Sequence, residues 1–109
     1  MLLALALAAL ALQPVRAAQD AAIDARELGV AESLMSWCAR VDPEGSAKIQ
    51  ARVNQMVAGR APELLEETRQ SEPYRSGYAS VSAFTPQIDP HNTRKYCSES
   101  RLARPVGAR

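Results

Sequence analysis

Apolar side chains recur every three or four positions along most of the chain and nowhere alternate with polar ones over a useful length. The pattern predicts helices and no strands. Over residues 18–41, Leu28, Ala31, Met35 and Cys38 form one helical row, and Val30, Leu34, Trp37 and Val41 form the adjacent one. The two rows make a broad apolar face. Asp20, Asp24, Glu27, Glu32, Ser36 and Arg40 fall largely opposite, and the early acids complement the positive end of the helix dipole. Gly29 lowers helix propensity by up to about 1 kcal/mol relative to Ala without ending the pattern.

Proline marks each restart. Asp42-Pro43-Glu44 combines an N-cap acceptor, a proline preset for the first helical position and an acid in the first turn. Ile49, Val53, Met56 and Val57 then share a face, and Gly59 is placed to end the helix. Ala61-Pro62-Glu63 opens a third helix with Leu64, Leu65 and Thr68 facing inward. Ser71-Glu72-Pro73 opens a fourth, with Ser71 as its cap, Tyr74, Tyr78 and Val81 at helical spacing, and Gly77 as a weak point. Thr85-Pro86 blocks its continuation. Asp89-Pro90 repeats the cap-then-proline signal and introduces a last helix through Tyr96 and Cys97 to about Leu102. The expected fold is all-α: a small antiparallel bundle of about four helices at residues 18–103, followed by a basic, flexible tail at residues 104–109.

The first residues carry a different pattern. Residues 2–12 are an uninterrupted run of Leu and Ala, shorter than the roughly 20 residues needed to span a bilayer core but matched to the apolar region of a secretory signal. Pro14 breaks it, and Val15-Arg16-Ala17 fits a small-x-small cleavage site after Ala17, or one residue later. No Lys or Arg precedes the run, so the terminal amine alone would supply the positive region. Residues 1–17 are therefore expected to be a signal peptide, leaving about 92 of the 109 residues for one small domain. Arg outnumbers Lys by 11 to 2 and Ala is the commonest residue, which points to GC-rich coding and a bacterial source. Export would then mean the periplasm or the medium.

Export changes the chemistry of Cys38 and Cys97, the only two cysteines. In an oxidising compartment an isolated pair is most simply one disulfide. Here it would join the first helix to the last. Closing a loop of about 60 residues removes roughly 4 kcal/mol of unfolded-state entropy, a large share of the roughly 5–15 kcal/mol stability of a domain.

Charge is uneven along the chain. Residues 20–72 carry 10 acidic and 6 basic side chains, whereas residues 73–109 carry 6 basic and 2 acidic. Such a layout can steer a partner or dock one half of the chain on the other. Near-neutrality overall and the absence of a basic pattern interleaved with aromatics argue against nucleic-acid binding, and with the signal removed no stable membrane insertion is expected.

Little in the chain points to catalysis. His91 is the only histidine, and there is no HxxxH, HExxH or CxxC spacing, no Gly-rich phosphate loop and no G-x-S-x-G elbow. Glu63 and Glu67 stand one turn apart at a helix start, where acids ordinarily complement the dipole. No catalytic residue, metal site or cofactor is expected. Tyr74, Arg75 and Tyr78 lie in a segment with few large aliphatics, so these amphipathic side chains are the expected contacts for a partner, most simply another protein. The oligomeric state is left open.

In export, size, helical content and a single cysteine pair, the chain is similar to small periplasmic helical proteins such as the acid-stress chaperones of the HdeA type. The likeness assigns no residue a role. The sequence thus supports an exported, non-enzymatic binding or interaction module. A stress-protective chaperone of that type, or a small enzyme or enzyme accessory subunit using His91, are the alternatives.

Overall fold

The structure is a computed structural model and describes residues 23–107; the expected signal peptide and its cleavage site lie outside the described residues. Helix α1 (Ala25–Val41) is followed by α2 (Pro43–Val57), α3 (Pro62–Gln70) and α4 (Glu72–Phe84). Short 3₁₀ turns at Thr85–Gln87 and Pro90–Asn92 lead to a four-residue α5 (Thr93–Tyr96), and a last 3₁₀ turn covers Arg101–Ala103. The fold is all-α, with no strand among the described residues.

Three expectations are corrected. Helix α1 starts at Ala25 rather than running on from residue 18, because Asp24 leaves helical geometry to act as N-cap and accepts from the Glu27 N–H at 3.0 Å. Ser71 does not cap α4 with its side chain. Its hydroxyl donates back to the Thr68 carbonyl at 2.6 Å, so it closes α3 instead. The last helix is not continuous from residue 90 to about 102 but broken into short turns. Asp89 accepts from the His91 N–H at 2.8 Å, favouring a turn at its start, and Cys97 departs from helical geometry where it meets Cys38.

Helix α1 is the centre of the molecule. Neighbouring α2 runs antiparallel to it: Ser46 on α2 reaches the Met35 carbonyl, while Arg52, further along α2, meets Glu27, further back on α1. Helix α4 lies against α1 with the chain rising in the same sense, Arg26 meeting Ser76 and Ser33 meeting Ser82. The buried core consists of Leu28, Ala31 and Cys38 from α1, Ile49 and Val53 from α2, and Cys97, Leu102 and Ala103 from the C-terminal turns. Helix α4 adds no fully buried apolar side chain. Its one buried residue is Gly77, and half-buried Tyr74 packs on the core edge.

What docks α4 is close backbone approach. A Cβ on Gly29 would lie 2.2 Å from the Tyr74 carbonyl oxygen, and one on Gly77 would lie 2.4 Å from that of Arg26. The two glycines that looked like weak points in their helices are the contact between them. At the other side of α1, a Cβ on Gly45 would lie 2.6 Å from both Cys97 Cβ and the Ser98 nitrogen. Only glycine lets the disulfide-bearing segment sit on the start of α2. The Cys38–Cys97 bridge joins the end of α1 to the end of α5, with both cysteines fully buried. Asp42 locks the same corner. Its own N–H caps α1 at the Cys38 carbonyl, 2.7 Å away, while its carboxylate accepts from the Gly45 and Ser98 N–H groups at 3.3 and 3.2 Å and from the Ser98 hydroxyl.

Two expected outcomes follow from this packing. Gly77→Ala should destabilise by about 1–3 kcal/mol, since overpacking at a backbone contact exceeds the gain of up to about 1 kcal/mol in helix propensity. Denaturant unfolding checks this, and a more stable variant would show that α4 can move away freely. Cys38→Ser should cost about 2–5 kcal/mol by the loop-closure argument; an unchanged melting temperature would mean that the small core suffices without its bridge.

Candidate functional site

The helices α1 and α4 touch at Gly29 and Gly77 and separate toward the C-terminal end of α1. One turn on from Gly29, Ser33 and Ser82 keep contact only through their side chains, hydroxyl to hydroxyl at 3.1 Å. Beside that pair a groove of about 520 Å³ opens, lined also by Trp37, Tyr78 and Pro86. Its floor is the Ser33–Ser82 pair, and its walls are Trp37 and Val41 on one side and Tyr78, Thr85 and Pro86 on the other, with Ser36 and Arg40 at the rim. Tyr78 is 36% and Val41 40% exposed, so apolar and hydroxyl groups both face solvent in the groove. Arg40 is the single charged residue lining it and makes no ion pair among the described residues.

Of the three side chains expected to meet a partner, Tyr78 lines this groove and the other two do not. The Tyr74 hydroxyl donates to Glu32 Oε1 at 2.7 Å, and both oxygens of Glu32 accept from Arg69 at 2.9 Å. Burial and that carboxylate push the Tyr74 phenol up to about 12. Through Glu32, Tyr74 therefore ties α4 to α1 while Arg69 ties α3 to α1, and the Tyr74 ring centroid lies 6.1 Å from that of Tyr78. Arg75 is exposed and faces Glu72 at 3.6 Å. The periodic pattern had assigned Trp37 to the apolar face and Arg40 to the polar one, and had not joined them to Tyr78. The signal that could have done so is the set of small residues at α1 positions 29 and 33 and at α4 positions 76, 77, 79, 80, 82 and 83.

Other clusters are internal to the fold. A cleft of about 620 Å³ beside α2 is lined in part by Lys48, Arg52 and Arg104. Arg52 donates to Glu27 at 2.9 Å and to the Arg104 carbonyl at 3.1 Å, and Lys48 pairs with Glu44. Val106 donates to Gln55 at 2.7 Å, laying residues 104–106 along α2. His91 is exposed, with Nδ1 2.9 Å from Asp89. Glu63 and Glu67 both face solvent. Among the described residues no group of three or more His, Cys, Asp or Glu could hold a metal ion, and no helix is long and apolar enough to cross a membrane.

Three carboxylates carry polar ties between elements, and all three are held below their ordinary values. For Glu27 the main cause is the hydrogen bond from Arg101, supported by Arg52 against an opposing effect of burial. Burial pushes the Glu32 carboxyl up, but the bonds from Arg69 and Tyr74 outweigh it. Asp42 is lowered chiefly by the Ser98 hydroxyl. Groups with depressed folded values contribute stability that is complete above the unfolded values, here near 4.5 for the two Glu and 3.8 for Asp, and that is lost as pH falls through the folded ones. Melting temperature should thus hold through the neutral range and fall in acid. Glu32→Gln should lower it at about pH 7 and converge with the parent at about pH 3. An equal gap at both pH values would show that Glu32 does not act as a carboxylate.

No protein-family model matches the chain, and no curated protein or solved structure matches it.

Proposed function

We propose that the protein is an exported, non-enzymatic binding module, acting in the periplasm or the medium, that takes a segment of a partner protein into the groove between α1 and α4. The observation that carries this reading is the placement of Tyr78. It stands on a helix docked through glycine backbone, opposite Trp37, and it is more than a third exposed. A half-exposed ring across an open groove adds little to packing, whereas aromatic side chains with an adjacent arginine are the residue types that dominate binding energy at interfaces.

A second reading, a stress-protective chaperone, draws on the three carboxylate ties. Protonation would release Glu27 from Arg52 and Arg101, Glu32 from Arg69 and Tyr74, and Asp42 from Ser98. The buried bridge would still hold α1 to the C-terminal turns. Such a chain would loosen in acid without coming apart.

Affinity capture from periplasmic extract, with and without an acid pulse, separates the two. One stoichiometric partner at neutral pH supports the binding module, while many clients appearing after acid support the chaperone. With the partner in hand, Tyr78→Ala should cost about 2 kcal/mol of affinity and less than about 1 kcal/mol of stability. A loss of several kcal/mol of stability would make the ring part of the core and remove the groove from consideration.

A further inference from the structure

Resting on the docking reading above, we infer that the groove selects an acidic peptide segment, seating an Asp or Glu carboxylate on Arg40 and a neighbouring apolar side chain between Trp37 and Tyr78. The first argument is charge. Every other arginine of α1 to α4 whose partner is in view is engaged: Arg26 with Ser76, Arg52 with Glu27, Arg69 with Glu32 and Arg75 with Glu72. Arg40 alone lines the groove, and no carboxylate lines it. The acids along α1 and its corner have other partners: Glu32 is held by Arg69 and Tyr74, Asp42 by Gly45 and Ser98, and Glu44 by Lys48. A planar guanidinium fork without a carboxylate is matched by a carboxylate brought from outside.

The second argument is the local field. The C-terminal carbonyls of α1 would oppose an anion at this end of the helix. One of them, that of Cys38, is already occupied by the Asp42 N–H, and the Arg40 side chain offsets the remainder. The third is the lining itself. Apolar Trp37, Val41, Tyr78 and Pro86 suit an aliphatic or aromatic side chain, and the hydroxyls of the floor and rim can bond peptide N–H and C=O groups.

Trp37 is the only tryptophan in the chain and lies in the groove, so its emission reports occupancy directly. The mature, disulfide-closed protein is titrated with three end-blocked peptides, Gly-Asp-Leu-Asp-Gly, Gly-Asn-Leu-Asn-Gly and Gly-Lys-Leu-Lys-Gly. The acidic peptide should give a saturable change and bind at least about tenfold more tightly than the Asn peptide, with the Lys peptide inert. Arg40→Gln should bring the acidic peptide to the level of the Asn peptide, while Tyr78→Ala weakens both alike. Equal affinity for the Asp and Asn peptides, selectivity that survives in Arg40→Gln, or binding of none of the three would each overturn the inference. So would emission that depends on protein concentration without peptide, which would put a second copy in the groove. If Asp and Asn peptides bind equally and both are lost in Tyr78→Ala, the docking reading stands and only its acidic partner falls. If no peptide binds and Tyr78→Ala leaves partner capture unchanged, both fall.

Discussion

The bridge between Cys38 and Cys97 is the constraint from which the rest of the arrangement follows. It brings the C-terminal turns onto the corner between α1 and α2, where Leu102 and Ala103 complete a core that α1 and α2 alone leave open. Among the described residues the buried apolar set has eight members, two of them the cysteines, which is a small resource for a domain of this size. The covalent link compensates by raising the free energy of the unfolded chain rather than by adding contacts to the folded one. Gly45 and Asp42 exist in service of it: one clears the space for Cys97, and the other ties the following residue down.

With the core committed to one side of α1, α4 has to bind the other side by different means. It does so through two glycine contacts at one end and through polar links, Arg26 to Ser76, Ser33 to Ser82 and Glu32 to Tyr74. Backbone contact brings two helices closer than side chains allow, but only over the turn where the glycines sit. Past that turn the helices meet through side chains, as Ser33 does with Ser82. The groove lies beside this contact, with Trp37 and Tyr78 among its lining.

Much of this was legible in the sequence. Each helix start marked by an acid or alanine followed by proline was correct to within a residue or two, because Asp42, Pro43, Pro62 and Pro73 act locally and need no tertiary partner. The disulfide was expected from a lone cysteine pair in a chain read as exported, and the structure holds it. What the sequence did not disclose depends on contacts between distant residues. Gly29 and Gly77 read as propensity losses because their benefit lies across a helix interface. Tyr74 and Tyr78 share a face and looked equivalent, yet Glu32 draws Tyr74 inward while nothing does the same for Tyr78. The last helix was overdrawn because its periodicity is carried by few residues and the pull of Cys97 toward Cys38 breaks it.

The uneven distribution of charge acquires a physical meaning in the fold. An acid of the first half meets a base of the second across a long separation, Glu27 with Arg101, and Asp42 holds Ser98 in reach of the Arg94 charge, so part of the opposite balance of the two halves docks one on the other. Paired surface charges contribute little to stability individually, but they fix which segments lie together. A charge left outside this pairing is then informative. Arg40 complements the C-terminal end of α1, a role that a lysine would fill equally well. Its position beside two aromatic rings and an open groove adds what a lysine does not supply, a planar fork beside an apolar seat. Arg40 is the single charged residue lining this groove, and an acidic segment of another molecule would supply its complement there.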